Sequence, residues 1–147
     1  MRVALIGFFA GAVSGVVMAF ISHAFFRLKV FKSNLILIDG SFFLRTLRLP
    51  DNPSLIYGAG IIIHLVTSGI FGTVYVTAAH VLGFDVLSFP LVCLYVLLLL
   101  FSMLFIALPV AGEGMLGRKS DTFGWLQQLI LHIVFCVLYY VGLKTLL

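Results

Sequence analysis

Charged residues are scarce in this sequence. Asp, Glu, Lys and Arg make up only 10% of its 147 residues, against about 25% in an ordinary soluble domain. Hydrophobic residues make up 63%, and a water-soluble chain of this length could not bury so much apolar surface. The composition therefore excludes an ordinary soluble domain and indicates a chain that folds in lipid.

Motifs of soluble enzymes are also missing. Cys93 and Cys136 lie inside apolar runs and form no CxxC or Cys/His spacing, so no zinc site is predicted. The G-x-G-x-x-G match at 112–117 follows a membrane helix rather than a strand, which excludes a dinucleotide site. There is no P-loop and no nucleophile beside a base. We expect no catalysis by this chain on its own.

Four long apolar runs dominate what is present, at 3–26, 55–82, 86–110 and 124–147. Each reaches the roughly 20 residues that a helix needs to cross about 30 Å of hydrocarbon. The runs are apolar on every side, which a membrane barrel strand is not. The sequence therefore predicts an all-α fold, an integral membrane four-helix up-down bundle that forms a single transmembrane domain over residues 1–147.

The basic residues predict an orientation. The net charge is +4, but seven of the nine basic residues lie in loop one (27–54) and loop three (111–123), between apolar runs. Such residues orient helices, and they do not indicate a nucleic-acid partner. We expect these two loops in the cytoplasm and both termini outside. Within loop one, the short apolar stretch 34–44 predicts a re-entrant or interfacial segment that turns at Asp39–Gly40. Ser54 is the predicted cap of the next helix.

Small residues predict close helix packing. Gly7, Gly11 and Gly15 recur every four residues on the first helix, which gives a stripe without side chains. Such stripes let helix backbones approach closely, either within the bundle or against another membrane subunit or a second copy. At the end of the third helix, Glu113 and Arg118 are predicted to form an ion pair at the membrane boundary.

Two histidines occupy matching positions. His64 in IIIHLV and His132 in LILHIV each lie about ten residues into a helix, and the two helices run in the same direction. We expect both side chains at similar depth and facing inward, since polar groups in lipid need partners. The match also suggests a tandem duplication of a two-helix unit.

Three interpretations of this histidine pair stay open. His64 and His132 could be the axial iron ligands of a b-type haem, which would make the chain an electron-transfer subunit. They could lie on a proton or ion path, although the runs contain no Asp or Glu to serve as a partner. They could also be neutral side chains that hydrogen-bond across the bundle core.

The stretches IIIHLVTSGIFGTVY at Ile61–Tyr75 and PVAGEGMLG at Pro109–Gly117 resemble a largely uncharacterised family of small four-helix bacterial inner-membrane proteins. The resemblance implies a bacterial inner-membrane location and no particular activity. We expect the chain to act as a structural or accessory subunit of a larger membrane complex. Its expected partners are other membrane subunits or further copies of itself. The alternatives are the haem b subunit and a small permease or proton-conducting bundle.

Overall fold

The computed structural model describes residues 2–147 and is helical throughout its regular elements. The helices are α1 (Arg2–Arg27), α2 (Leu35–Thr46), α3 (Pro53–Val81), α4 (Phe89–Ala111) and α5 (Gly124–Leu146). Helices α1, α3, α4 and α5 are long and apolar enough to cross a membrane, which confirms the all-α bundle. The largest shift from the predicted ends is at the start of α4, expected at 86 and found at 89.

The outer surface of the bundle is apolar. Large hydrophobic side chains point outward from every long helix, including Phe20, Ile62, Leu98 and Ile133, which are each more than half exposed. Water disfavours an apolar surface of this extent, whereas lipid tails accept it. The chain thus has the surface of a small multi-pass membrane protein in contact with the bilayer.

The four long helices form a ring with one open edge. Helix α1 packs closely on α3 and also contacts α5, and α5 contacts α4. Helices α3 and α4 make almost no backbone contact, although they are neighbours in the chain. The ring is therefore closed on three sides and gapped on the fourth.

The predicted turn at Asp39–Gly40 is wrong, because α2 runs through these residues as one continuous helix. Its first turn is held by Asn34, whose side chain accepts a hydrogen bond from the N–H of Ile36 at 3.0 Å. The buried hydroxyl of Ser22 on α1 accepts another from the N–H of Leu35 at 3.0 Å. With twelve residues, α2 is too short to span a bilayer.

Glycine allows α2 to lie directly on α3. A Cβ at Gly40 would clash with the carbonyl oxygen of Ile56, and a Cβ at Gly60 would clash with that of Ile36. The two backbones therefore meet at these positions, as small residues allow in membrane helices. The helical part of loop one thus packs on the bundle and does not extend away from it.

The start of α3 also differs from expectation. Asn52, not Ser54, is the N-cap, because its side-chain oxygen accepts from the N–H of Ser54 at 3.0 Å. Pro53 occupies the first helical position, where its missing N–H costs nothing. Helix α3 therefore starts two residues earlier than expected, and the face that it packs on its neighbours is the same.

Helix α4 is interrupted by a π-helical turn at Met103–Ala107. The helix resumes at Leu108–Ala111 and ends at Gly112, whose φ of 90° places it in the left-handed region. Glycine adopts that conformation without strain. Arg45 of α2 donates to the last carbonyl, that of Ala111, at 2.7 Å, so α2 also holds the end of α4.

Candidate functional site

A cavity of about 260 Å³ lies at the gapped edge of the bundle, bounded by α2, α3, α4 and α5. Most of its wall is apolar, with several aromatic rings. Its polar residues come from four helices, and they are Asp39, His64, Thr67, Ser68, Ser102 and His132. Both histidines that the sequence singled out thus line one cavity, together with a carboxylate.

The glycine stripe of α1 packs against α3, the helix that forms one wall of this site. A Cβ at Gly11 would clash with the carbonyl oxygen of Ser68, and a Cβ at Gly15 would clash with the Ser68 side chain. Gly7 lies in the same way against Gly72. The stripe therefore packs within the bundle, and it brings the backbone of α1 within reach of the side chains of α3.

His64 is held from both sides of its ring. Its Nε2 lies 3.0 Å from the carbonyl oxygen of Gly15 on α1, and its Nδ1 lies 2.6 Å from Oδ2 of Asp39 on α2. The His64 side chain is 9% exposed and that of Asp39 is 17% exposed. Three helices thus meet at one imidazole.

These contacts decide where the protons are. A backbone carbonyl can only accept, so Nε2 of His64 must carry a hydrogen and donate it to Gly15. One further proton must lie between Nδ1 and the Asp39 carboxylate, because two bare acceptors would repel each other at 2.6 Å. The pair is imidazolium with carboxylate or imidazole with carboxylic acid, and both forms share a single proton.

His132 is placed differently. Its Nδ1 donates to the carbonyl oxygen of Gln128, one turn earlier on the same helix, at 2.8 Å. With the hydrogen on Nδ1, Nε2 of the neutral ring presents a lone pair. The side chain is buried and lines the cavity. His132 therefore contributes an acceptor to the site, whereas His64 contributes a proton shared with a carboxylate.

The geometry gives the haem hypothesis no support. Axial ligation needs a ring nitrogen with a free lone pair, and both ring nitrogens of His64 are occupied by Gly15 and Asp39. The pair of residues that would hold iron does share a cavity, but only His132 offers an unoccupied nitrogen. Haem ligation by His64 and His132 stays a prediction that would require His64 to leave both partners.

A tyrosine cluster lies between the cavity and the α3–α4 turn. Tyr95 on α4 donates to the carbonyl oxygen of Phe71 on α3 at 2.8 Å. Tyr139 on α5 donates to that of Gly72 at 2.7 Å, and Tyr75 donates to that of Val86 at 3.0 Å. The rings of Tyr75 and Tyr139 meet edge to face. These contacts tie α3, α4 and α5 together at one end only.

The lateral side of the cavity stays open. Phe71 of α3 is 41% exposed and Ile106 of α4 is 58% exposed, and both line the cavity on the outer surface of the bundle. Ser102, one turn before Ile106, is exposed as well. The cavity therefore opens on the apolar outer surface of the bundle.

The predicted ion pair of Glu113 with Arg118 does not form in the structure. The Glu113 carboxylate instead accepts a hydrogen bond from the hydroxyl of Ser120. Within residues 2–147, Lys and Arg pair with Asp only between Lys32 and Asp121 and between Arg45 and Asp51. The glycine-rich exit from α4 folds back on itself, which directs Glu113 towards Ser120.

Asp39 is the residue that sequence reasoning missed. The sequence led us to expect no acid near the histidines, because none lies inside the four long runs, and that expectation is wrong. A signal was present, since Asp39 is the one acid of the apolar stretch NLILIDGSFFL at 34–44. A lone acid in an apolar segment predicts a buried partner.

Comparisons with known proteins identify no relative: no family model, no curated protein and no solved structure matches this chain. The resemblance to small bacterial inner-membrane proteins therefore gains no support from a family model.

Proposed function

We propose that this chain is a small proton-coupled permease, the third of the functions that its sequence suggested. The observation that carries the proposal is the 2.6 Å contact between Nδ1 of His64 and Oδ2 of Asp39, which requires a shared proton, at the wall of a cavity. Ionisable groups within a membrane bundle are costly, and where they occur they mark ion and proton pathways. Here the pair also borders the space that a ligand would occupy.

A purely structural role explains neither why the Asp39–His64 pair is largely buried nor why a cavity adjoins it. A buried ion pair is weak evidence for stability, because apolar residues of similar volume are often as stabilising. A structural pair would also need no adjoining cavity. The alternative of an accessory subunit has no specific contact in its support, although the apolar outer surface leaves room for membrane partners.

The α3–α4 edge is tied at both ends and open between them. The tyrosine cluster ties α3, α4 and α5 at one end, and at the other end α2 covers α3 and holds the end of α4 through Arg45. Between these ties α3 and α4 make almost no backbone contact, so a small change in their spacing around an occupant would break little packing. We further propose a bacterial inner-membrane location, which the resemblance implies, and we place loops one and three in the cytoplasm on the distribution of basic residues.

The test is transport in proteoliposomes with an imposed pH gradient and an internal pH dye. Three probes share a hexyl chain and differ in charge: the N-hexyl-para-aminopyridinium cation, hexanesulfonate and neutral hexanamide. We expect one of them to move protons through the wild-type protein and not through Asp39→Asn. The control Asp85→Asn alters an acid at the far turn, where the carboxylate caps the N–H of Leu87, and should keep the flux. Proton flux equal to that of empty liposomes with all three probes would overturn the proposal.

A further inference from the structure

Asp39 and His132 each contribute to the cavity one hydrogen-bond acceptor that has no partner among residues 2–147. His132 offers the lone pair of Nε2, and Oδ1 of Asp39 makes no hydrogen bond with any residue from 2 to 147, since only Oδ2 faces His64. The hydrogens of His64 are committed to Gly15 and Asp39. The hydroxyl of Thr67 donates to the carbonyl oxygen of Ile63 at 2.7 Å. The hydroxyls of Ser68 and Ser102 can either donate or accept. A ligand that meets the acceptors of Asp39 and His132 must bring its own donors.

The charge of the cavity points in the same direction. Asp39 is its one carboxylate, and no Lys or Arg lines it. The titratable groups that face Asp39 are His64 on α3 and His132 on α5, while α1 contributes Met18 and α4 contributes apolar residues and Ser102. When the shared proton leaves, the cavity therefore holds one negative charge, which a cation would neutralise.

The walls of the cavity and its route of access indicate that the ligand also has an apolar part. The walls are apolar and aromatic, with Phe42, Phe71 and Phe135 among them. Aromatic faces attract cations and also accept apolar surface. Since the opening lies between Phe71 and Ile106 on the lipid-facing surface, the ligand has to be soluble in the bilayer.

We propose that this cavity binds a small amphipathic cation with N–H donors, which enters sideways from the bilayer between α3 and α4. The inference rests on the proposed function and names its substrate class. The N–H groups of the cation would donate to Asp39 and to Nε2 of His132, and its apolar body would lie against the aromatic wall.

Binding exchanges one charge for another. The cation enters, and the proton between Asp39 and His64 leaves for water, so that the net charge of the cavity is the same before and after. His64 keeps the hydrogen on Nε2 and its bond to Gly15, while its Nδ1 is left as an acceptor beside the carboxylate. A donor from the cation relieves the repulsion between these two acceptors. Proton and cation therefore compete for one site.

The experiment measures binding to the protein in nanodiscs by calorimetry in two buffers of different ionisation enthalpy, which counts released protons. The probes are N-hexyl-para-aminopyridinium and its N,N-dimethylamino analogue, which has the same charge but no N–H donor. We expect the first to bind with release of about one proton, and its affinity to fall about tenfold for each pH unit of acidification while the site is protonated. The dimethyl analogue should bind at least about tenfold more weakly.

Two variants separate the site from the fold. Asp39→Asn should weaken binding of the aminopyridinium by about tenfold or more and abolish proton release. Ile106→Trp leaves Asp39 and His64 in place but narrows the lateral opening, so it should slow association severalfold.

Equal affinity for both cations, or unchanged affinity in Asp39→Asn, would overturn the proposal. If the cation binds with proton release but is not transported, the binding site stands and only the permease proposal is overturned. If hexanesulfonate alone is transported, the permease proposal stands and the proposed ligand class is overturned.

Discussion

Helix α3 has two contrasting sides. Towards α1 it presents Ser68 and Gly72 to a glycine stripe, and the backbones meet so closely that a single Cβ would clash. Towards α4 it presents Thr67 and Phe71 to a cavity that is open to the outer surface. His64 lies between the two sides, and its ring joins the tight interface to the open one.

This difference shows how a small membrane bundle can be both rigid and able to bind. In lipid no hydrophobic effect holds helices together, so stability has to come from close packing and from hydrogen bonds between helices. The α1–α3 contact supplies both. The α3–α4 edge can then remain open, because the helices are held elsewhere by α1, α2, α5 and the tyrosine cluster.

The largest expected effect comes from filling the tight interface. Gly72→Leu should destabilise the protein by about 3 kcal/mol or prevent folding, since α1 would have to move away from α3. Gly58→Leu is the matched control on the same helix, because a Cβ there meets no atom within 4 Å. Helix content during unfolding in mixed micelles measures both. Similar losses in the two variants would show that α1 and α3 are not packed as described.

The second effect separates the two histidines. His64→Ala removes one contact to α1 and one to a carboxylate of α2, and we expect a loss of about 1.5–3 kcal/mol of unfolding free energy. His132→Ala removes only a bond within its own helix, for which about 1 kcal/mol is typical. The same unfolding assay measures both variants. If His132→Ala cost as much as His64→Ala, the distinction between an interhelical and a local histidine would fail.

A third test addresses the closed edge, where α4 packs on α5. The sulfur atoms of Cys93 and Cys136 lie 3.6 Å apart across these helices. Mild oxidation, which transfers the two thiol electrons to copper phenanthroline and releases both protons, should link them in nearly every molecule. Moving the first thiol in Cys93→Ser with Leu94→Cys points it outward, as Leu94 is 55% exposed, and should reduce the yield severalfold. Mass spectrometry of alkylated protein gives the yield, and equal yields would contradict the packing of α4 on α5.

The smallest effect concerns a contact outside both interfaces, where loop three meets loop one. The N–H of Phe123, followed by Lys32 and Gln127, lowers the pKa of Asp121 below its usual 3.8. A lowered pKa means that the stabilisation by Asp121 is fully present above 3.8 and is lost as the pH falls through the lower value. The melting temperature of the wild type should therefore fall more steeply in acid than that of Asp121→Asn. Parallel pH profiles would show that this exposed contact contributes nothing measurable.

Much of the fold could be predicted because transmembrane helices are local. The hydropathy of about 20 consecutive residues decides whether a segment can span, and the four spans agree with the structure to within a few residues at each end. The glycine stripe likewise predicted close packing. The helical form of α2 was missed, because its Asp39–Gly40 step resembles a turn while the burial that stabilises the helix comes from α3.

The site could be predicted only in part. The inward position of His64 and His132 follows from their polarity in apolar runs, and both line the cavity. Their different roles do not follow, since the two local sequences are nearly alike. Asp39 is 25 residues from His64 in the chain, in a segment with its own pattern, and no periodicity relates the two residues. The Glu113–Arg118 pair failed for a related reason, because nearness in sequence does not set the direction of a side chain in a glycine-rich loop.

The sequence by itself determined that this chain folds in lipid, where its four membrane-spanning helices lie to within a few residues, and which of their faces are polar. These properties depend on sums over neighbouring residues, which the order of amino acids contains directly. The tertiary structure alone decided that α2 folds back to place a carboxylate on His64, and that α3 and α4 stay apart around a cavity. Such contacts arise from the way whole helices pack, and the free energy of packing depends on residues far apart in the chain.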